Sequence, residues 1–329
     1  MINNNLNILR LLLSILVFLG HWNILTAYGN QNIIFNLHSH AVNLFFIISG
    51  FLIFWSFDRD TNIKHFYLKR FFRIYPIYLI LIILQTLFFM YYANGTTMDI
   101  VKYFISNAFF LNFLSHSVGD IFNHLEINAI NGSLWTLKNE VFFYFLVPFI
   151  YTLYKKWGIK LFIIFYMLSA IYMFLAFPYH NETLMILFPA QLRLFIIGIL
   201  LYIFFNKFQN NNIQFIVLSI VSLISLLLFS GQNIFDYLLY PILLGVFFIV
   251  LSYKIKLPKI KFDFSYSFYI LHFPIIQLSI YFKLIPDNPL LSFISLFIVV
   301  LILSYLSEKY IEKRFIQIGK NIINKEKEK

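Results

Sequence analysis

The sequence predicts an all-α fold, a polytopic membrane bundle of about ten transmembrane helices. The first observation is composition, because 60% of the 329 residues are apolar and only 12% are charged, whereas an ordinary soluble domain is about 25% charged. The second is the mean hydropathy of +0.79, since a soluble fold of this size has no interior large enough for so much apolar surface. The third is that the apolar residues form long unbroken runs rather than the short alternating segments of an outer-membrane barrel.

Ten apolar runs have about the length needed for a span, because about 20 helical residues cross the ~30 Å hydrocarbon core. The expected spans are 8–25, 40–57, 75–93, 139–155, 159–177, 184–206, 213–230, 234–252, 264–283 and 289–311. The second and the fourth are the weakest, because they are short. We expect the first to be a retained span, since no small-residue cleavage site follows it. The polarity of a further stretch, 100–115, favours a re-entrant or surface helix over an eleventh span.

The charge pattern predicts that both termini lie in the cytoplasm. The chain has 25 Lys and Arg against 14 Asp and Glu, and most of the basic residues fall in alternate segments between the expected spans, as the positive-inside rule requires. We expect the basic cytoplasmic tail, 316–329, to lie on anionic lipid. This distribution argues against a nucleic-acid partner, and the absence of cysteine excludes disulfides and thiolate chemistry. No metal is expected.

One segment between expected spans is long. Residues 94–138 fall on the outer face and hold several polar side chains, namely His116, Asp120, His124 and Glu126. Long ordered loops often bind ligands, but a solvated connector explains each of these residues equally well.

The first span carries a polar pair. Arg10 and His21 are eleven residues apart, which is about three helical turns, so in a helix they share one face about 16 Å apart along the axis. Polar side chains inside a span are costly and are functional candidates. A hydrogen bond from His21 to a neighbouring helix is the competing structural interpretation.

Three further segments carry polar groups at or within spans. Arg70 and Arg73 are one helical turn apart at the start of the third span, which suits phosphate, although the positive-inside rule also explains them. Glu140 begins the fourth span; it is expected to orient His21 or to pair with Arg193, and a favourable charge at a helix start also explains it. His272 lies in the ninth span, where a structural hydrogen bond is the simpler role.

These segments form an ordered set of motifs. The motif residues are Arg10 and His21; Ala41 to Ile53, including Asn43, Ser49 and Gly50; Arg70, Arg73, Ile74 and Pro76; Ser133, Leu134, Trp135, Leu137, Glu140, Phe143 and Tyr144; Arg193 and Gly198; and Ser265, Tyr266, His272 and Pro274. Together they resemble the family-3 membrane acyltransferases, which include bacterial O-antigen and capsule O-acetyltransferases. The resemblance covers about residues 6–315.

The sequence departs from this family at three places. Asn43 stands where the family usually has Asp, Ala41 stands where it has Gly, and the closing Glu-Lys-Pro-Phe is Glu-Lys-Arg-Phe at 312–315. Asn retains hydrogen-bonding groups but not the charge. Some relatives carry an additional periplasmic domain, and we expect this chain to resemble the members without one.

The resemblance implies a single acyltransferase domain over 1–329, with several membrane passes in the bacterial inner membrane among its lipids. It implies acetyl-CoA as the cytoplasmic acyl donor and a hydroxyl of a surface glycan or glycolipid as the acceptor. The implied roles are base for His21, orienting group for Glu140, acyl-CoA binding for Arg10, Arg70 and Arg73, and support for Asn43, Ser49, Trp135, Arg193 and His272.

Several alternatives remain open from the sequence. His21 either activates the acceptor hydroxyl directly or carries the acyl group as a covalent intermediate. A different function class is a polysaccharide or lipid-linked saccharide transporter, or a polymerase. Transporters usually show internal repeats and broken helices, and this sequence shows no visible repeat. A purely structural membrane partner leaves the polar residues of the spans without a purpose.

Overall fold

The structure is a computed structural model that describes residues 5–28, 33–176, 182–209, 212–229, 235–254 and 262–328. These residues are predominantly helical and contain no strand. The α-helices are α1 (Asn5–Thr26), α2 (Ile33–Arg59), α3 (Ile63–Tyr92), α4 (Thr97–Ala108), α5 (Leu134–Trp157), α6 (Lys160–Ala176), α7 (Glu182–Met185), α8 (Phe188–Gln209), α9 (Asn212–Phe229), α10 (Tyr240–Lys254), α11 (Ser265–Tyr281), α12 (Pro289–Ser307) and α13 (Lys313–Lys327). The predicted all-α fold is confirmed.

Within the described residues every expected span overlaps helical structure, and the chain is a multi-pass membrane protein. Positions 177, 230 and 234, at the ends of three expected spans, lie outside the described residues. Within the described residues, five helical stretches are long and apolar enough to cross a membrane by length and composition. They are Asn5–Thr26, Leu37–Arg59, Ile63–Tyr92, Thr183–Phe204 and Pro289–Lys327. The total of ten spans and the cytoplasmic location of both termini stay predictions.

The two weak spans and the polar stretch differ in helix length. The second span belongs to the 27-residue helix α2, which contains one of these five stretches. The fourth belongs to the 24-residue helix α5, which is not one of the five, so that span stays a prediction. In contrast, α4 has 12 residues, or about 18 Å, and is too short to cross the hydrocarbon core. Its start is fixed by a capping box in which Thr96 and Asp99 bond each other's backbone amides.

The chain divides into two compact units. The first unit comprises Met1–Leu9, Val42–Phe66 and Asn139–Lys259. Within it, α2 and α8 approach so closely that a Cβ on Gly50 would overlap the carbonyl oxygen of Phe195, and one on Gly198 would overlap that of Ile47. Both helices are apolar all round, as expected for buried membrane helices, and glycine permits the approach because it has no side chain.

The second unit comprises Arg10–Ala41, Tyr67–Lys138 and Ile260–Lys329. Its main core joins α1, α11 and α12 through aromatic and aliphatic side chains, and a second core lies beneath the long loop. The main core contains Phe18, Trp22, Leu25, Phe268, Phe273, Ile276, Leu296 and Val300. A π-helical segment, Glu308–Glu312, connects α12 to α13. The single domain expected over 1–329 stays a prediction.

Candidate active site

Two histidines of the second unit are in direct contact. Nδ1 of His21 on α1 lies 2.7 Å from Nε2 of His272 on α11, and the two rings stack with centroids 5.0 Å apart and an interplanar angle of 10°. His272 is fully buried, whereas His21 is half-buried. The structural hydrogen bond expected for His272 is therefore made to the candidate base itself.

A second hydrogen bond of His272 assigns the protons of this pair. Nδ1 of His272 lies 3.2 Å from the carbonyl oxygen of Phe268, and a carbonyl only accepts, so this nitrogen carries the hydrogen. In a neutral ring Nε2 of His272 is then an acceptor, and it takes the hydrogen of Nδ1 of His21. Nε2 of His21 is left with a lone pair, which is the state that a general base requires.

Aromatic side chains surround the two histidines. The ring of Phe273 meets His21 edge-on at 5.1 Å, and that of Phe18 meets His272 edge-on at 6.3 Å. A third histidine, His38 on α2, has its ring 6.0 Å from that of His21. The histidine pair is therefore bordered by two phenyl rings and a third imidazole.

Two of the predicted donor-binding arginines share one carboxylate. Arg73 on α3 donates to Oδ2 of Asp263 at 2.8 Å, and Arg10 on α1 donates to the same oxygen at 3.4 Å. The hydroxyl of Ser265 donates to Oδ1 of this carboxylate at 2.7 Å. Arg10 and Arg73 thus meet at one point although α1 and α3 are distant in sequence.

The protonation of Asp263 follows from this arrangement. Burial alone would raise the pKa of this carboxyl, but the two guanidinium groups and the Ser265 hydroxyl together lower its pKa below the usual value. Asp263 is therefore ionised at neutral pH and holds both arginines by charge-assisted hydrogen bonds. Arg70 lies one turn before Arg73 on α3 and is half-buried.

Glu140 belongs to the first unit, near the start of α5. Its Oε1 accepts hydrogen bonds from the hydroxyl of Ser49 on α2 at 2.8 Å and from that of Tyr144 at 2.6 Å. Three motif residues are thus joined through one oxygen atom. The orienting role of Glu140 toward His21 stays a prediction.

Arg193 is a structural residue of the first unit by its contacts. Its guanidinium donates to the carbonyl oxygens of Ala190, Asp236 and Tyr237 at 2.8–3.2 Å, and it makes no ion pair with Glu140 among the described residues. These bonds satisfy a buried cation through main-chain carbonyls.

The two remaining predicted supporting residues are Asn43 and Trp135. The side-chain amide of Asn43 donates a hydrogen bond to the hydroxyl of Tyr240 at 3.1 Å. This bond joins two neutral groups and does not need the Asp carboxylate that the family usually has at this position. Trp135 is half-buried in the first turn of α5. Both stay predictions as supporting residues.

Sequence reasoning missed two residues of this arrangement, Asp263 and His38. Asp263 follows a run of lysines and directly precedes the Ser265 motif. A single acidic residue in an otherwise basic segment is a signal that could have marked it. For His38 the sequence offers no spacing relative to His21 that would reveal the contact.

Comparison with known proteins places these residues in a family context. Residues 3–309 match the family described as "Acyltransferase domain". The chain is 29% identical over 289 residues to an "O-acetyl transferase" of Shigella phage Sf6, covering 84% of each chain. It is 28% identical over 167 residues to "Nodulation protein 10" of Rhizobium leguminosarum bv. viciae, covering 47% of this chain and 46% of that protein.

A further relative is a much longer protein, of which only a small part matches this chain. The chain is 24% identical over 126 residues to "Peptidoglycan O-acetyltransferase OatA" of Listeria monocytogenes, which covers 36% of this chain and 20% of that protein. No solved structure matches the chain.

Proposed function

This chain belongs to the acyltransferase family that its sequence matches, and we propose that it transfers an acetyl group from acetyl-CoA to a hydroxyl of a cell-surface or exported glycan. The names of two relatives, an O-acetyl transferase and a peptidoglycan O-acetyltransferase, support O-acetyl transfer and a glycan acceptor. The proposed location is the bacterial inner membrane, with the donor on the cytoplasmic side.

The observation that carries this proposal is the contact between His21 and His272. Because Nδ1 of His21 donates to His272, Nε2 of His21 keeps its lone pair. A base must also keep its orientation during the reaction, and His272 is fixed through Phe268 and its burial. The arrangement has the logic of a base held by a third group, with an imidazole in place of the usual carboxylate.

The proposed chemistry is direct transfer. Nε2 of His21 takes the proton of the acceptor hydroxyl while the oxygen attacks the thioester carbonyl carbon. The carbon–sulfur bond breaks as the tetrahedral intermediate collapses, and Nε2 of His21 returns its proton to the departing thiolate of CoA. The products are the O-acetyl ester and free CoA, and His21 regains its starting state.

The proposed donor site uses Arg10 of α1 together with Arg70 and Arg73 of α3. Arg10 and His21 lie on one face of α1, about 16 Å apart along the axis. We place the CoA phosphates at Arg10, Arg70 and Arg73, with Asp263 aligning Arg10 and Arg73. The flexible arm of CoA then carries the thioester along this face of α1 toward His21.

Glu140 has a supporting place in this proposal. Its side chain is held in place by the hydroxyl groups of Ser49 and Tyr144. We propose that Glu140 supports the reaction, that Asn43 and Arg193 maintain the helices of the first unit, and that Trp135 is a supporting residue of the second.

The proposal is tested with purified protein, labelled acetyl-CoA and de-O-acetylated surface polysaccharide from the producing cell. The expected result is label transferred to the glycan in an ester that mild base removes, together with stoichiometric release of free CoA thiol. A cell lacking the gene should also lose the corresponding acetyl proton signal from its glycan NMR spectrum. A transporter would instead leave acetyl-CoA unconsumed and change the amount of exported glycan.

A second arm separates direct transfer from a covalent relay. Protein saturated with labelled acetyl-CoA in the absence of acceptor is denatured and examined for bound label. Direct transfer predicts no protein-bound acetyl group, whereas label on His21 would establish the relay.

A further inference from the structure

The long segment between α3 and α5 forms a cavity of about 280 Å³ in the second unit, and this cavity is open to the surface. We call it the loop cavity. Its polar lining includes Asp99, Lys102, His116, Ser117 and Asn128. None of these residues takes part in the chemistry described above.

The lining has the chemistry of a carbohydrate site. A carboxylate, an ammonium group, a hydroxyl and an amide supply both donors and acceptors, as a ligand rich in hydroxyl groups requires. Asp99 and Lys102 offset each other's charge, which argues against a highly charged anion such as a nucleotide. The volume lies near the lower end of the range for small-molecule sites, which suits a sugar residue.

One polar atom of the cavity lacks a partner. The hydroxyl oxygen of Ser117 is buried and makes no hydrogen bond within the described part of the chain. A buried hydroxyl without a partner is unfavourable, so rotation of the Ser117 side chain toward the cavity that it lines, with a ligand hydroxyl as its partner, would recover this loss. Among the described residues, both bonds from Thr96 to Asp99 end on Oδ2, which leaves Oδ1 as an acceptor for a ligand.

The loop is held in shape before any ligand binds. The amide of Asn107 donates to the carbonyl oxygens of Tyr103 and Ser115 at 2.9 and 2.8 Å, and Tyr78 donates to that of Asn107 at 2.6 Å. The backbone amide of Ile130 reaches the carbonyl of His116 at 3.3 Å. A preformed site avoids the entropic cost of ordering a loop on binding.

The same loop is bonded to the helix that carries His272. Gln277 on α11 donates to the carbonyl oxygen of Ile127 at 2.6 Å, and Asn131 donates to that of Ile270 at 3.0 Å. Gly132 lies against Phe273, whose ring contacts His21. The loop and the histidine pair therefore belong to one connected structure, as a binding site and a reaction centre for one substrate should.

We propose that the loop cavity binds a sugar residue of the glycan acceptor, remote from the hydroxyl that is acylated. This inference rests on the proposed function, since it supplies the acceptor site of that reaction. Because the contacts lie away from the reacting atoms, they contribute to binding equally in the ground state and the transition state. Their loss should raise KM for the glycan and leave kcat unchanged.

The first test uses the absence of native cysteine, which gives single-cysteine variants a clean background. Asn128→Cys places a thiol in the cavity, and Glu126→Cys places one on an exposed position of the same loop outside it. Each is labelled with a maleimide in the presence of oligosaccharides from the de-O-acetylated surface polysaccharide of the producing cell. The oligosaccharides should slow labelling of Asn128→Cys and leave that of Glu126→Cys unchanged.

The second test is kinetic. Ser117→Ala and Asn128→Ala should each raise KM for the glycan by roughly two- to ten-fold, the effect of one lost hydrogen bond. The KM for acetyl-CoA and kcat should stay at wild-type values, and Glu126→Ala is the matched control. An unchanged KM for the glycan together with unprotected labelling would overturn the inference.

The two arms distinguish this inference from the proposed function. Protection of Asn128→Cys by oligosaccharides, without acetyl transfer by the wild-type protein, would retain the cavity as a carbohydrate site and refute the enzymatic proposal. Acetyl transfer without protection would refute the cavity alone. Absence of both would refute both.

Discussion

Nδ1 of His21 donates to Nε2 of His272 at 2.7 Å, and the carbonyl oxygen of Phe268 fixes the tautomer of His272 in turn. This chain of hydrogen bonds begins at the carbonyl oxygen of Phe268, passes through the imidazoles of His272 and His21, and ends at the lone pair on Nε2 of His21. No carboxylate is required to set the tautomer of His21. Histidine is suited to this because its two ring nitrogens take opposite hydrogen-bonding roles when it is neutral.

Replacement of His272 tests its positioning role. His272→Ala removes the acceptor of the Nδ1 hydrogen of His21, and we expect kcat to fall by about 100-fold, within the range for loss of an oriented base. His272→Gln should restore part of the activity, because its amide oxygen is also an acceptor. Steady-state kinetics and thermal unfolding measure both variants, with His124→Ala as an exposed control. Equal activity of the Ala and Gln variants at equal stability would contradict the role.

The arginine pair is expected to act on the donor. Arg73→Ala and Arg10→Ala should each raise KM for acetyl-CoA by roughly ten-fold or more, since a charge-assisted hydrogen bond contributes about 1.5–3 kcal/mol. KM for the glycan should not change. Arg59→Ala, an exposed arginine of α2 that lies over Trp55, is the control. Unchanged donor dependence in both variants would remove the arginines from the donor site.

Asp263 is expected to stabilise the second unit. Asp263→Asn leaves Arg10 and Arg73 without their carboxylate and should lower the free energy of unfolding by about 1–3 kcal/mol. Because the folded-state pKa of Asp263 is lowered, its contribution is complete above the ordinary carboxyl pKa of about 4 and is lost only as pH falls through the lowered value. The difference from wild type should therefore be constant between pH 5 and 8 and shrink in stronger acid. Thermal unfolding in detergent, with the exposed Asp287→Asn as control, measures this; a difference that grows on acidification would contradict it.

Replacement of Gly50 in the first unit by alanine is expected to change stability in the direction opposite to that given by helix propensity. Replacement of glycine by alanine inside a helix usually stabilises it by about 1 kcal/mol. At Gly50 the added Cβ would overlap the carbonyl oxygen of Phe195 on α8, so Gly50→Ala should instead lower stability by about 1–3 kcal/mol. The measurement is the thermal unfolding midpoint in detergent. An increase in that midpoint would show that α2 and α8 are not in close contact.

The sequence predicted the helices well because a long apolar segment in lipid must form its backbone hydrogen bonds within itself, and a helix does so. It also placed Arg10 and His21 on one face of α1, because helical spacing is a local property. The short α4 was predicted from its polar residues for the same reason. These features depend only on residues that are neighbours along the chain.

The partners of the polar residues were not predictable in the same way. The contacts of Arg73 with Asp263 and of His21 with His272 join residues that are 190 and 251 positions apart in the sequence. Helices that are apolar all round give no face by which their neighbours can be identified. The arrangement of α1, α3 and α11 therefore had to come from the structure, as did the carboxylate of Asp263 that joins Arg10 and Arg73.

The most direct test of the account is acetyl transfer by His21→Ala. Purified wild-type and variant proteins are compared for transfer of labelled acetyl groups from acetyl-CoA to the de-O-acetylated glycan, with membrane insertion and thermal stability checked in parallel. We expect a loss of at least about 100-fold in kcat in a correctly inserted variant, because a general base contributes about 10²–10⁴-fold. Transfer at the wild-type rate by that variant would contradict the assignment of His21 as the base.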